Sequence, residues 1–469
     1  MALVIVTILL PIVVGGLLLF APRNDRALSR AIGTAVAAVT FGTLIAAGTG
    51  DWSVRWLSRP FTAAFHFGAT PLSIWLALLL ALCTACAVAV TRVERTRDFV
   101  AVLLTLEGTM LGLFLARDLL VFALFWDLML VPVFFALVVW GEHPATAWRY
   151  FIYNFAGGLT LLLATAAFGI IYGSTDVIGG STAPLVGAWA PWIFAGFAFA
   201  FLVKTPVWPL HTWMPPTYST LPPPMVAVVS AVQSKAGLYG FLAIASVLLP
   251  EYVHEYATPL FVLGGISLLY GAVVALTQND VKRIVAYSSL SHLGLILIAI
   301  ASGNRLALAG ALVYIVAHGL FSAALFLLLG YVEEREETRN LTRLGGLGWR
   351  NPRLSGALCI AALAALGLPG LAGFVGELVI LIGVYQAGYV WPAIVALIAI
   401  VLASAYMLRL YQDVMNGPQR SDLPVRSDLT LLEGLAVAPL LAALLLVGVY
   451  PAPLLMQLSA VTTQSVAPP

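Results

Sequence analysis

The chain has 469 residues, of which 61% are hydrophobic and only 9% are charged. A soluble fold must cover its surface with polar groups, so this composition excludes a soluble enzyme and favours a protein embedded in lipid. The formal net charge of +2 is nearly neutral and argues against a nucleic-acid-binding surface. We therefore predict an all-α membrane protein that folds as one helical bundle.

Apolar runs long enough to cross a bilayer recur along the whole chain. We predict fourteen of them, at residues 2–20, 31–48, 71–92, 98–116, 119–140, 149–172, 188–208, 222–248, 259–277, 281–301, 305–332, 355–386, 388–412 and 428–449. The runs are continuous rather than alternating, which excludes transmembrane β-strands. The first run is followed by no cleavage pattern, so we expect it to remain as a membrane helix.

Basic residues are divided unequally between the two sets of predicted loops. Sixteen follow the odd-numbered spans: Arg23, Arg26, Arg30, Arg92, Arg95, Arg97, Arg149, Lys282, Arg283, Arg335, Arg339, Arg343, Arg350, Arg353, Arg420 and Arg426. Four lie on the opposite side: Arg55, Arg59, Arg117 and Arg305. Because lysine and arginine accumulate in cytoplasmic loops, we predict a prokaryotic inner-membrane protein with both termini on the non-cytoplasmic side.

Two predicted spans contain a helix-breaking proline. Pro206 interrupts the seventh span, and Pro369 interrupts the twelfth span within a glycine-rich stretch. Each proline removes a backbone N–H, and the carbonyl that this frees needs protein or water to satisfy it within a bilayer. A single proline kink would be ordinary, but two interrupted helices five spans apart are typical of a duplicated five-helix transporter unit.

Four ionisable residues lie deep inside apolar runs: Asp127, Lys204, Lys235 and Glu377. A charge at mid-membrane costs about 2.5–3.5 kcal/mol on insertion scales. Such residues face a bundle interior or a water-filled cavity and usually mark an ion path. The alternative interpretation is a structural ion pair that fixes helix register.

The type of the buried cations favours proton transfer. Of the 23 basic residues only three are lysine, yet Lys204 and Lys235, the two deepest in the membrane, are both lysine. Arginine keeps its proton at all working pH values, whereas a buried lysine can release one. The two sites are therefore predicted to titrate.

Further residues are secondary candidates for proton relay: Glu107, His211, His292 and His318. Histidine titrates near neutral pH, although a hydrogen-bonded structural histidine is the simpler interpretation of each. Glu107 can equally face Arg117 or a polar seam. The remaining histidines fall in loops and are assigned no role: His66, His143 and His254.

Two other motifs receive a structural interpretation. Cys83 and Cys86 form a C-x-x-C inside an apolar run without a histidine or charged neighbour, so we predict buried filler and no metal site. No cofactor-binding motif is visible in the sequence. The mixed-sign run at 333–337 is predicted to be a solvated cytoplasmic helix end, with docking of a peripheral arm as the alternative.

Several segments resemble a known family. They are L-L-V-F-A-L-F-W-D-L-M-L-V-P at 119–132, K-T-P-V-W-P-L-H-T-W-M-P-P at 204–216, S-K-A-G-L-Y-G around Lys235 and D-V-K-R-I-V-A-Y-S-S-L-S-H-L-G at 280–294. These segments resemble the antiporter-like subunits of complex I and of Mrp-type antiporters, over most of residues 95–415. The chain is identified as a member of that family.

The resemblance implies two inverted five-helix repeats, at 98–250 and 255–415, each holding a half-channel with a broken helix. Residues 1–97 would form three preceding helices, and 416–469 a last helix and tail. The resemblance also implies a polar axis on which Asp127 and Lys204 form a charge-coupled pair, Lys235 is the central relay and Glu377 is the terminal site. Partners would be L- and N-type neighbouring subunits, lipid, protons and ordered water.

Within the family, Glu377 stands where L-, N- and Mrp D-type members usually have lysine, which indicates the M type. Two positions depart from the family pattern. Asp127 replaces the usual glutamate and is one methylene shorter, and Pro216, Thr217 and Tyr218 replace a usual D-A-H. The first shortens the reach toward Lys204, and the second removes a histidine relay.

The resemblance thus implies a proton-translocating, non-redox subunit of an NADH:quinone oxidoreductase, with no catalytic centre of its own. Three alternatives stay open: a cation/proton antiporter subunit of Mrp type, the homologous subunit of a hydrogenase- or ferredoxin-linked complex, and a membrane scaffold. The electron donor and acceptor, the choice between proton and sodium, and the stoichiometry do not follow from the sequence.

Overall fold

A computed structural model of the protein describes residues 2–22, 25–48, 50–179, 184–418 and 427–456. The loop arginines Arg23, Arg420 and Arg426 lie outside these residues. Eleven helices of the described chain are long and apolar enough to cross a membrane, and four shorter apolar helices accompany them. The membrane prediction is confirmed. The count of fourteen spans and the inverted repeats stay predictions.

The helices follow one another with short connections. Before the irregular segment that contains Pro206, the helices are α1 (Ala2–Leu18), α2 (Arg26–Ala47), α3 (Pro71–Ala89), α4 (Thr96–Leu115), α5 (Leu119–Leu128), α6 (Leu130–Trp140), α7 (Pro144–Tyr172) and α8 (Ala190–Lys204). Short helices come next: α9 (Met214–Thr220), α10 (Pro223–Val228), α11 (Lys235–Gly240), α12 (Ser246–Leu248) and α13 (Pro250–Glu255). The rest are α14 (Ala257–Thr277), α15 (Val281–Ala301), α16 (Arg305–Glu336), α17 (Leu347–Arg350), α18 (Pro352–Ala365), α19 (Ala372–Gln386), α20 (Val390–Met415) and α21 (Leu431–Val449).

The chain divides into two compact units, which are described separately below. The first unit comprises the described residues of Met1–Pro206 and Val232–Tyr256. The second comprises those of Val207–Ala231 and Ala257–Thr462.

Helix breaks occur beside the two prolines singled out in the sequence. α8 ends at Lys204, two residues before Pro206, and α9 begins only at Met214. α18 and α19 are separated by a turn in which Gly367 and Gly370 adopt φ values of +78° and +93°. Residues with a side chain rarely adopt these angles, so the glycines permit the turn that Pro369 requires.

A further discontinuity lies between α5 and α6 and was not predicted. Pro132 lacks an N–H, so the carbonyl of Leu128 has no i+4 donor. The helix accordingly stops at Leu128 and restarts at Leu130. Asp127 therefore lies at the end of a helix rather than in its middle.

Lys235 is flanked by unusual helix geometry. The π-helical segments Val229–Gln233 and Phe241–Ala245 lie on either side of α11. A π-helical turn carries an extra residue, which rotates the side chains that follow it, and such turns are frequent at functional sites.

The prediction of an all-α fold is wrong in one detail, because the first unit contains a β-hairpin. Strands β1 (Asp51–Leu57) and β2 (Ala63–Gly68) pair antiparallel, with Asp51 opposite Gly68 and Ser53 opposite His66. The segment is rich in aromatic and branched residues, and Trp56 stacks on Phe65 with ring centroids 4.6 Å apart. It was too short and too polar to register as a span.

Burial separates inner from outer helices within the second unit. The most apolar 18-residue window of α16 is completely buried, whereas about a third of that of α20 is buried. An apolar helix that is buried all round forms the core of a membrane bundle, and an exposed one faces lipid or another protein. The core of this unit is therefore built on α16 and α15.

Candidate functional site

The first buried cation lies beside an aromatic ring and close to a carboxylate. Lys204 is 1% exposed, and its Nζ lies 5.2 Å from the centroid of the Trp126 ring. Among the described residues this amine has no hydrogen-bond partner. Asp127, next to Trp126 on α5, interacts electrostatically with Lys204 but does not hydrogen-bond to it. The two groups are therefore electrostatic neighbours that share no direct hydrogen bond.

A glycine of α7 makes room for the Asp127 carboxylate. A Cβ placed on Gly158 would overlap Oδ1 of Asp127, whereas one on the preceding Gly157 would make only ordinary van der Waals contact with Val203 of α8. Gly158 thus lets α7 approach the helix of Asp127 closely. This glycine sets the space that is available to the Asp127 carboxylate.

Lys235 is completely buried, on a helix that packs closely on α8. A Cβ on Gly237 would overlap Thr205 Oγ1 and the carbonyl oxygen of Phe201, and one on Gly240 would overlap the Phe201 ring. The S-K-A-G-L-Y-G motif therefore supplies the contact surface as well as the lysine. The structure brings the helices of Lys204 and Lys235 together.

The two cysteines of α3 are buried and free. Cys83 interacts electrostatically with Lys235, a charged neighbour that the local sequence does not contain. The sequence could not show this, because α3 and α11 are far apart in the chain. In the part of the chain that the structure describes, no group of three or more His, Cys, Asp or Glu side chains is arranged to hold a metal ion.

A polar bridge near Lys235 was missed in the sequence. Gln233 donates a 2.7 Å hydrogen bond from Nε2 to the hydroxyl oxygen of Tyr150, and the Asn154 amide donates to the Tyr150 carbonyl at 2.8 Å. Both Gln233 and Asn154 are buried. Tyr150, Asn154 and Gly158 are spaced four residues apart on α7, so they share one face. The four-residue spacing is visible in the sequence, but the contact between Tyr150 and Gln233 could not be predicted from it.

Glu107 is the most isolated acid of the first unit. It is 0% exposed, and neither carboxyl oxygen has a hydrogen-bond partner within the described residues. Within the described residues, Glu107 therefore forms no hydrogen bond to Arg117 or to a polar seam, the two alternatives considered for it. A buried carboxyl group without a hydrogen bond destabilises the fold when it is ionised, so packing alone does not account for an acid at this position.

Glu377 of the second unit has a hydrogen-bond donor. Tyr314 donates from its hydroxyl to Glu377 Oε1 at 2.7 Å, and both residues are buried. The other carboxylate oxygen, Oε2, lies against Gly367 in the turn between α18 and α19, where a Cβ would overlap it. The broken helix and the buried acid are thus parts of one site.

Two of the three predicted histidines of the second unit, His292 and His318, lie near this acid. His292 Nε2 is 3.1 Å from the Tyr406 hydroxyl oxygen, and the His292 ring centroid lies 5.5 Å from that of His318 and 5.8 Å from that of Tyr314. All four side chains are buried. The sequence predicted the histidines but missed Tyr314 and Tyr406. Tyr314 stands four residues before His318 on α16, a spacing that places them on one face.

His211 lies apart, in the irregular segment between α8 and α9. It is 5% exposed, and its ring centroid is 5.2 Å from that of Tyr270. Its Nδ1 has no hydrogen-bond partner among the residues described. Its role as a proton relay stays a prediction.

The charged run at 333–337 is only partly solvated, so that prediction is wrong for two of its members. Arg335 and Glu336 are buried. Arg335 donates to Glu433 at 2.8 Å, which ties the end of α16 to the start of α21. Lys282 pairs with Glu333 at 2.7 Å. The third lysine of the chain is therefore ion-paired, unlike Lys204.

The comparisons with known proteins identify the family of the chain. Residues 116–403 match the family described as NADH:quinone oxidoreductase/Mrp antiporter, TM. The chain belongs to this family. It is 35% identical over 435 residues to NADH-quinone oxidoreductase subunit M of Pseudomonas aeruginosa, which covers 87% of this chain and 84% of that protein.

Solved structures of the family show the same fold. A chain of respiratory complex I from Thermus thermophilus superposes with a TM-score of 0.90 at 32% identity, over 99% of this chain and 100% of that one. A chain of the Mrp complex from Dietzia has a TM-score of 0.84 at 20% identity, over 98% and 97% of the two chains, and so shows the fold alone. The family assignment made from the motifs is confirmed.

Proposed function

We propose that this chain is a proton-translocating membrane subunit of an NADH:quinone oxidoreductase of complex I type. Its family and its likeness to subunit M support this role. It would act as a non-redox part of the translocase, with electron transfer on other chains and no cofactor bound here. Its partners would be L- and N-type antiporter-like neighbours, the lipid bilayer, protons and ordered water.

The observation that carries the proposal is the state of Lys204. This amine is buried, has no hydrogen-bond partner within the described residues and is near a carboxylate that it does not contact. A structural cation would be paired, as Lys282 is with Glu333. An ammonium held this way is suited to moving between partners or to losing its proton.

Proton transfer would then pass along the buried acids and amines. Asp127 and Lys204 form the charge-coupled entry pair, and Lys235 is the central relay. Because the helices of the two lysines are in contact, like charges on them repel in a low-dielectric interior. Movement of Lys204 away from Asp127 would therefore drive the proton off Lys235, and Glu377 would be the terminal site. Glu107, His211, His292 and His318 are proposed as accessory relays.

The proposal extends to topology. We propose fourteen transmembrane helices in a prokaryotic inner membrane, with both termini on the non-cytoplasmic side, as the arginine distribution indicates. Two inverted five-helix repeats, at 98–250 and 255–415, would each supply a half-channel. The helix breaks after Lys204 and after Ala365 support this division.

Matched lysine-to-arginine variants test the proposal in the assembled complex. Lys204→Arg keeps the charge but cannot release a proton. We expect quinone-coupled proton pumping in proteoliposomes to fall about 100-fold, the scale of a lost proton-transfer group. Lys282→Arg, which retains the ion pair with Glu333, is the control and should pump normally. Equal pumping by the two variants would contradict the proposal.

Two alternative functions predict different outcomes of related experiments. A subunit of a cation/proton antiporter, which the family description and the fold of the Mrp complex both allow, would make transport depend on sodium concentration. A membrane scaffold would tolerate joint apolar replacement of Asp127, Lys204 and Lys235 with pumping intact. The choice between NADH and another electron donor requires the identity of the neighbouring subunits.

A further inference from the structure

His66, to which the sequence analysis assigned no role, holds two carboxylates at once. Its Nδ1 lies 2.6 Å from Asp176 Oδ1, and its Nε2 lies 2.8 Å from Asp51 Oδ1. An ionised carboxylate only accepts hydrogen bonds, so both ring nitrogens must carry a proton. The geometry is therefore that of an imidazolium with two charge-assisted hydrogen bonds. The His66 side chain is only 16% exposed.

The two carboxylates belong to different parts of the first unit. Asp51 begins β1, whereas Asp176 lies in segment 173–179, which follows α7. Backbone hydrogen bonds join the same parts: Thr62 donates to the Gly173 carbonyl at 2.9 Å, and Thr175 donates to the Thr62 carbonyl at 3.0 Å. His66 thus fastens the hairpin to the segment that leaves α7.

The start of α5 is held in the same place. Asp118 caps α5 by accepting hydrogen bonds at Oδ1 from the N–H groups of Leu120 and Val121. Its Oδ2 accepts from Ala64 of β2 at 3.0 Å and from Thr175 Oγ1 at 2.8 Å. The cap is therefore shared between the helix, the hairpin and the segment after α7. We call His66, Asp51, Asp176 and Asp118 the hairpin clamp.

The clamp is connected to the acid–lysine site by a rigid element. Asp127 is nine residues beyond Asp118 on the same helix, about 13.5 Å along its axis. The clamped segment 173–179 directly follows α7, whose Gly158 abuts the Asp127 carboxylate. Both helices that fix the Asp127 side chain therefore begin or end at the clamp.

We propose that protonated His66 is a positioning residue, which locks the hairpin to α5 and α7 and so holds Asp127 in register with Lys204. This proposal rests on the proton-translocating role proposed above. By the arginine distribution, the hairpin faces the non-cytoplasmic solution. The clamp would then be tight when that compartment is acidic and would loosen when it becomes alkaline.

The sign of the pH dependence follows from the contacts. The hydrogen bond with Asp176 raises the pKa of His66 above its usual value, burial opposes this, and the hydrogen bond with Asp51 raises the pKa further. A raised pKa means that the clamp is fully formed below about pH 6.5 and is lost as pH rises through the raised value.

Other charged groups surround this imidazolium. Asp118 is the acid on the α5 side, and burial raises its pKa. Arg117 donates to the carbonyls of Ile178 and Gly179 at 2.6 Å and 2.9 Å, and Arg55 lies on the strand face that His66 shares. α1, which also packs on the hairpin, contains no charged residue.

Hydrogen exchange in the assembled complex tests the clamp directly. Protection of the Thr175 and Val121 amides, corrected for intrinsic exchange, is compared at about pH 6 and about pH 9. In the unmodified protein we expect protection to fall about tenfold at the higher pH, the equivalent of 1.4 kcal/mol. His66→Gln should show the lower protection at both pH values. His254→Gln, an exposed histidine on the same predicted side, should behave as the unmodified protein.

Pumping measured against external pH provides the second readout. We expect the unmodified complex to pump better when the external solution is acidic, and His66→Gln to lose this advantage. Asp176→Asn, which keeps an acceptor oxygen but removes the charge, should shift the transition to lower pH even if His66→Gln fails to assemble. Unchanged protection and an unchanged pH profile in either variant would overturn the proposal. Because amide protection does not depend on turnover, this failure is distinguishable from failure of Lys204→Arg to stop pumping.

Discussion

The acid sites of the two units are stabilised in different ways. Asp127 lies near a lysine without bonding to it and has one oxygen without a hydrogen-bond partner in the described structure. Glu377 accepts a hydrogen bond from Tyr314 and has histidines close by. The first site therefore responds to charge, and the second to a hydrogen-bond network. A carboxyl group can be kept in a membrane interior by either means.

The largest effect in this comparison is expected from removal of the Asp127 charge. Asp127→Asn preserves size but abolishes the electrostatic interaction with Lys204, so we expect proton pumping to fall about 100-fold. Asp127→Glu keeps the charge, restores the residue usual in the family and should pump normally. Vesicle acidification driven by quinone reduction measures both variants. Normal pumping by Asp127→Asn would show that charge coupling is not what this site supplies.

A smaller effect is expected from the hydrogen bond of the second site. Tyr314→Phe removes only the hydroxyl that donates to Glu377, a bond worth about 1.5–3 kcal/mol when the acceptor is charged. Pumping should drop at least about tenfold, which corresponds to the lower end of that range. Tyr385→Phe, on α19 but exposed, is the matched control. Equal pumping rates for the two variants would show that the Tyr314 hydroxyl does not contribute to proton transfer at the second site.

Features of the site that depend on a single unusual residue within an apolar span could be predicted from the sequence. Buried Lys204, Lys235 and Glu377 and the helix breaks near Pro206 and Pro369 were all readable, because a charge or a proline in a membrane span is anomalous wherever the span packs.

Features of the site that depend on contacts between residues distant in the chain could not be predicted from the sequence. Gln233, Tyr314 and His66 gain their interest from side chains that lie 15 to 110 positions away in the chain. Polar residues of this kind are common, and only the fold shows which of them meet. The helix break after Leu128 is a different case. Pro132 is visible in the sequence, but the apolar run around it is continuous, so we predicted one unbroken helix there.

The smallest expected effect concerns the space around Asp127. A Cβ on Gly158 would overlap Oδ1 of Asp127, so Gly158→Ala should push the carboxylate or α7 aside. Overpacking of this kind typically costs about 1–3 kcal/mol, and we expect a lower melting temperature of the complex with a partial loss of pumping. Gly42→Ala, where nothing lies within 4 Å, should be neutral or slightly stabilising, since alanine favours the helix. If both variants melt alike and pump alike, α7 is free to adjust, and Gly158 does not set the space around the Asp127 carboxylate.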